Sequence, residues 1–131
     1  MATLTPKLTL TGTAADFGNV ISLEATTNLT IIEPFVGFSR ITATTTGNES
    51  IIVPSLNDAR YVYIRHAALN QAGAAETSAK VKVETADGTA IMELKANEFA
   101  FFPFFVQGAS LLQLETDSGT VQVEYAFFRR A

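Results

Sequence analysis

Apolar and polar residues alternate along most of the second half of the chain. Arg60-Tyr-Val-Tyr-Ile-Arg65, Ala79-Lys-Val-Lys-Val-Glu-Thr85, Thr89-Ala-Ile-Met-Glu-Leu-Lys95, Glu98-Phe-Ala-Phe-Phe-Pro-Phe104 and Thr120-Val-Gln-Val-Glu-Tyr-Ala-Phe127 follow one another with turn residues between them. A period of two puts neighbouring side chains on opposite faces of a strand. These segments therefore predict strands. Asp87-Gly88 sits between two of them and predicts a hairpin around Ala86–Thr89. A further turn is expected at Asp117-Ser-Gly119, and Arg60 to His66 reads as a central strand.

The first half carries a weaker version of the same pattern. Thr3 to Thr11 reads as a first strand in which Leu4, Leu8 and Leu10 alternate with polar residues, and Pro6 interrupts it, as a proline does at an edge or a kink. Asp16–Asn19 reads as a turn. Val20 to Ile32 reads as a long strand-forming stretch with a break at Asn28 and its end at Pro34. Phe38 to Thr45 is the next strand, with Phe38, Arg40, Thr42 and Thr44 on one face and Ile41 and Ala43 on the other. Turn residues at Thr46–Glu49, a short strand Ser50–Val53 ended by Pro54, and a connection over Leu56–Ala59 complete this half. Leu69 to Ser78 has no strand character. A connection of that length suggests a binding or interface loop. No amphipathic helix of useful length and no fixed repeat are visible.

Together the segments predict about eight to ten short strands at sandwich-like spacing. The expected fold is all-β, an antiparallel β-sandwich of jelly-roll type, in one domain spanning residues 1–131. The Cys pair and buried Trp of immunoglobulin domains are missing, since the chain has neither residue.

Composition narrows the chemistry. Without Cys there is no thiol nucleophile, zinc finger or iron–sulfur cluster. A net charge of -4 argues against a nucleic-acid partner, which usually demands a basic face. No apolar run reaches the length of a membrane-spanning helix. Met1–Lys7 lacks the basic and apolar regions of a signal peptide, so Asn28-Leu-Thr30 and Asn48-Glu-Ser50 are read as chance matches to the glycosylation pattern. Charged residues are only 17%, while Phe occurs 10 times. That balance leaves apolar surface for a neighbouring subunit to cover.

No catalytic constellation stands out. His66 is the only histidine. Any site built on it needs converging partners such as Ser55 or Asp58, and a structural role is the commoner one. Glu93, Glu98, Glu115 and Glu124 occupy positions that solubility alone explains, and Asp87 and Asp117 precede turn glycines. Neither a metal nor a cofactor is expected, and no enzymatic activity. Tyr61, Tyr63 and Arg65 share a strand face of the kind a sugar platform uses. Phe99-Ala-Phe-Phe-Pro-Phe-Phe105 is apolar on both faces, which predicts cover on both sides, with Pro103 marking a bend or edge. Tyr125-Ala-Phe-Phe-Arg-Arg130 repeats the idea. Phe102, Phe104, Phe105, Phe127 and Phe128 are accordingly the candidate interface residues, with Leu69–Ser78 as a second contact.

The order of segments from Arg60 to Phe127 resembles the small β-sandwich virion proteins of tailed bacteriophages. The resemblance lies in an aromatic strand, a small-residue loop, a Val-rich strand, an Asp-Gly hairpin, a Phe-Pro strand and a closing Val-Gln-Val-Glu-Tyr-Ala strand. It covers about half of the chain and has no residue-level motif. It implies a non-enzymatic capsid decoration or cement protein, located in the virion, that binds the major capsid protein or other virion proteins and forms a homo-oligomer, a trimer being favoured. The alternatives it leaves open are a tail or neck component and a carbohydrate-binding module.

Overall fold

A computed structural model describes residues 1–12, 21–46, 51–53, 58–106 and 111–131. In chain order the strands are β1 (Ala2–Leu4), β2 (Lys7–Gly12), β3 (Ile21–Thr26), β4 (Leu29–Ala43), β5 (Ile51–Val53), β6 (Asp58–His66), β7 (Val81–Glu84), β8 (Ala90–Leu94), β9 (Phe99–Val106), β10 (Leu112–Thr116) and β11 (Val121–Arg130). No helix occurs among the described residues. The sheets are antiparallel. One has five strands in the order β1-β4-β11-β6-β9, the second has four in the order β5-β10-β7-β8, and β2 and β3 pair only with each other.

The two larger sheets face each other across one apolar core. Ala43, Val62, Ile64, Val121, Val123 and Phe127 come from the five-stranded sheet, and Val81, Val83, Leu94, Leu112 and Leu114 from the four-stranded one. These are the inward positions of the period-two pattern, so the all-β sandwich expected from the alternation is what the chain forms. Expected strands over Arg60–His66 and in the hairpin around Asp87-Gly88 are present. Gly88 lies in the left-handed region (φ 80°), and its N–H donates to the Thr85 carbonyl at 3.0 Å. A glycine there closes a type I turn with a bulge, which a side chain would strain.

The structure differs from expectation at two prolines. Pro34 does not end a strand: β4 runs through it, pairing with β11 from Ile31 to Ala43, with Pro34 opposite Phe128. Register shifts around Phe127 and Phe128 absorb the proline, which has no N–H for the ladder. The strand expected over Thr3–Thr11 is two, β1 and β2, which belong to different sheets and are separated at Pro6. Leu69–Ser78, expected as a loop without strand character, is tied to β11 and to itself. The Leu69 and Asn70 carbonyls accept from the Gln122 backbone N–H (2.7 Å) and side-chain amide (2.9 Å), the Ala68 carbonyl from the Glu76 N–H, and the Asn70 side chain from the Ala74 N–H. The expected turns at Asp16–Asn19 and over 47–49, and the first half of the Leu56–Ala59 connection, lie outside the described residues, while Asp58 and Ala59 belong to β6.

Three exposed carboxylates tie the connections together. The Glu76 carboxylate accepts from the Ala79 and Ser78 N–H groups and the Ser78 hydroxyl, which hold it below the usual carboxylate range. The Thr85 hydroxyl and Thr89 N–H lower Asp87, and the Lys80 N–H lowers Asp117. A carboxylate depressed on folding stabilises the native state above the ordinary range, near pH 4. That contribution is lost as the pH falls through the depressed values. Glu76→Gln with Asp117→Asn should therefore flatten the acid limb of a urea-midpoint against pH curve, while leaving its shape above neutrality unchanged. An unaltered acid limb would contradict this assignment.

Candidate interaction surface

The outward face of the five-stranded sheet is built by the residues that alternate with the core. On β6, Arg60, Val62, Ile64 and His66 are buried, so Tyr61, Tyr63 and Arg65 point out. Their cross-strand partners on β9 are Pro103, Phe101 and Phe99. Phe99, Phe101 and Phe105 are exposed, and Phe38 of β4 joins them. Tyr61 and Phe101 stack with ring centroids 6.0 Å apart, and Phe38 meets Tyr63 edge to face at 5.4 Å. Such diagonal and T-shaped aromatic pairs hold the rings in place on the sheet. The Arg130 guanidinium lies 5.2 Å above the Tyr61 ring. Beside this aromatic field runs a polar stripe. Glu124 of β11 lies between Arg40 of β4 at 2.8 Å and Arg65 of β6 at 3.6 Å. These pairs are partly solvated and set pattern more than stability.

Strands β2 and β3 form an arm whose side chains are almost all exposed. The register pairs Leu8 with Ala25 and Leu10 with Leu23, and Gly12 with Ile21. One face of the arm is thus aliphatic. The other carries Lys7, Thr9, Thr11, Ser22, Glu24 and Thr26, with Lys7 and Glu24 ion-paired at 2.9 Å. The base of the arm and the aromatic field enclose a groove of about 570 Å³, lined by Leu8 and Ala25 on one side and by Tyr61, Phe99, Phe101 and Pro103 on the other. Leu10, Ile21 and Leu23 lie beyond it.

The structure separates the five phenylalanines expected at an interface. Phe105 is exposed on the outer face and Phe128, opposite Tyr61, is half-buried. Phe127 is instead in the core at 2% exposure, with the Arg60 guanidinium 5.1 Å from its ring. Phe102 and Phe104 also pack against the core, edge to face with each other. The reason is register: they lie opposite Val62 and Arg60, both buried. The exposed aromatics are their neighbours of opposite parity. Phe99 and Phe101 were recognisable as one face from alternation, but only pairing with β6 shows which face is inward. β9 is an edge strand, in keeping with Pro103.

Ser55, a partner considered for His66, lies outside the described residues. Among the described residues no three His, Asp or Glu side chains gather as a metal site would need. Both nitrogens of His66 are engaged with backbone: Nδ1 accepts from the Ala68 N–H at 3.0 Å, which leaves the proton on Nε2, and Nε2 donates to the Ala79 carbonyl at 3.0 Å. Glu93 pairs with Lys80, Glu98 accepts from the Lys95 N–H, and Glu115 stands opposite Lys82 in the β10–β7 ladder. No helix among the described residues is long and apolar enough to cross a membrane. Comparison with known protein families, with curated proteins and with solved structures finds no match.

Proposed function

We propose that this chain is a non-enzymatic virion structural protein. It decorates and braces a tailed-phage capsid by binding the major capsid protein and further copies of itself. The observation that carries this reading is the pair of exposed apolar elements, an aromatic sheet face and an aliphatic arm, on a domain whose core is already complete. Extended apolar surface of that kind is characteristic of association sites. The order of segments from Arg60 to Phe127, which resembles small phage virion sandwiches, supplies the virion part of the proposal. Many shallow contacts repeated over a symmetric shell add up by avidity.

A tail, neck or receptor-binding role is the second reading. Tyr61, Tyr63 and Arg65, side by side on the outer face, favour it because flat rings beside a hydrogen-bonding cation suit a sugar. Quantitative mass spectrometry of phage particles from the genome that encodes the chain distinguishes the two. The decoration reading predicts a copy number on the scale of the major shell subunit. A copy number typical of a tail or neck part would favour the second reading, to be followed on a glycan array. Absence from the particles would overturn both.

A further inference from the structure

We infer that the β2–β3 arm is an exchange element. The aliphatic face of its distal half, Leu10, Ile21 and Leu23, docks in the groove over Tyr61, Phe99 and Phe101 of a second copy of this chain. The inference rests on the self-association in the proposed function and not on the virion. Three observations carry it.

The first is that the arm is not explained by the chain itself. A two-stranded ribbon in water is at best marginally stable and needs a third strand or a packing surface. Yet Leu8, Leu10, Ile21 and Leu23 remain 42%, 47%, 43% and 50% exposed, all on one face. Only the base of the arm borders its own groove.

The second is complementarity. The groove carries flat rings and the arm carries branched aliphatic chains, the mixed aromatic–aliphatic pairing that sheet surfaces favour. The docking face of the arm, Leu10, Ile21 and Leu23, carries no charge, and the one charged residue lining the groove, Lys7 at its rim, is already ion-paired with Glu24.

The third is area. Phe38, Phe99, Phe101 and Phe105 are 77%, 59%, 37% and 65% exposed. At about 200 Å² per aromatic side chain they present about 500 Å². The groove rings Phe99 and Phe101 supply about 200 Å² of this, and with Leu10, Ile21 and Leu23 each copy brings about 450 Å² to the contact, so a reciprocal pair buries about 900 Å², at the small end of specific interfaces. Because each copy offers both an arm and a groove, the contact can be reciprocal in a dimer or close head to tail into a ring.

The absence of cysteine makes the test direct. Leu23→Cys and Phe101→Cys, introduced in separately tagged chains, should form a mixed disulfide on mild oxidation after mixing, and neither variant alone should dimerise comparably. Leu10→Ser with Leu23→Ser should weaken self-association in sedimentation by about 100-fold, a tenfold loss per half-buried leucine. Its circular dichroism should be unchanged, since both side chains are solvent-exposed within one chain. A wild-type chain that stays monomeric at high concentration would overturn the inference. So would dimers of Leu23→Cys alone, which indicate arm-to-arm packing. A doubly substituted chain that closes only on itself, with no mixed dimer, would show instead that the arm folds onto its own body. Failure of the particle measurement with success of the cross-link would remove the virion reading and leave arm exchange standing.

Discussion

Replacing Arg60 by alanine is expected to destabilise the fold by about 3–5 kcal/mol, the range of large-to-small changes in a packed core. Arg60 is the largest fully buried side chain of the described residues, at 0% exposure, and it projects from β6 on the same side as Val62 and Ile64. Its guanidinium lies against the Phe127 ring at 5.1 Å. A cation over a ring is worth most where both are withdrawn from water. Alanine removes that contact, withdraws a long stem that fills space between the sheets, and uncovers one face of Phe127. Methionine restores much of the volume without the charge. Buried ionic groups are often replaced at little cost by apolar residues of similar size, so Arg60→Met should recover much of the loss. Urea denaturation of both variants provides the measurement. A loss below about 1 kcal/mol for alanine would mean that the core collapses freely around the site.

The second large effect is expected at His66. Its ring joins two backbone segments that no strand pairing connects: Nδ1 receives the Ala68 N–H and Nε2–H is given to the Ala79 carbonyl, just before β7 begins. Ala79 is buried, and Ala68 has a left-handed backbone (φ 56°), which a non-glycine residue adopts only when its surroundings hold it there. His66→Ala leaves both groups without their partner and opens a cavity. At about 1–3 kcal/mol for each of the two orphaned groups, the expected loss is roughly 2–6 kcal/mol. His66→Phe fills the space but satisfies neither group, so it should remain destabilised. The Ala68 amide should exchange faster with solvent deuterium in both variants. Full stability in His66→Phe would show that packing, and not hydrogen bonding, is what the histidine supplies.

The placement of His66 also shows how residue type and neighbourhood differ in what they reveal. A lone histidine at a strand end is more often structural than catalytic. Its two backbone partners, one two residues away and one thirteen residues away, depend on the connection from β6 to β7 folding back over the ring. The phenylalanines make the same point on a larger scale. Phe99, Phe101 and Phe105 differ from Phe102 and Phe104 only in parity, and a strand's two faces are equivalent until a second sheet covers one of them. Phe127 read as surface because aromatic residues and a basic terminus follow one another there. It is core because it shares parity with Val121 and Val123, which face β7 and β10 across the sandwich.

The class of this protein is legible in the chain: alternation with period two and an Asp-Gly turn specify antiparallel strands with one apolar face, and these must pack as sheets on sheets. That Arg60–His66 lies inside a sheet is legible in the same way. The three-dimensional arrangement alone reveals how the strands are shared between the sheets, that the stretch from Thr3 to Thr11 divides at Pro6 into strands of different sheets, that β4 continues through Pro34, which phenylalanines face water, and that Leu8, Leu10, Ile21 and Leu23 stand together on an exposed arm. The physical reason is that local pattern specifies which residues share a face, whereas burial depends on what another part of the chain places against that face.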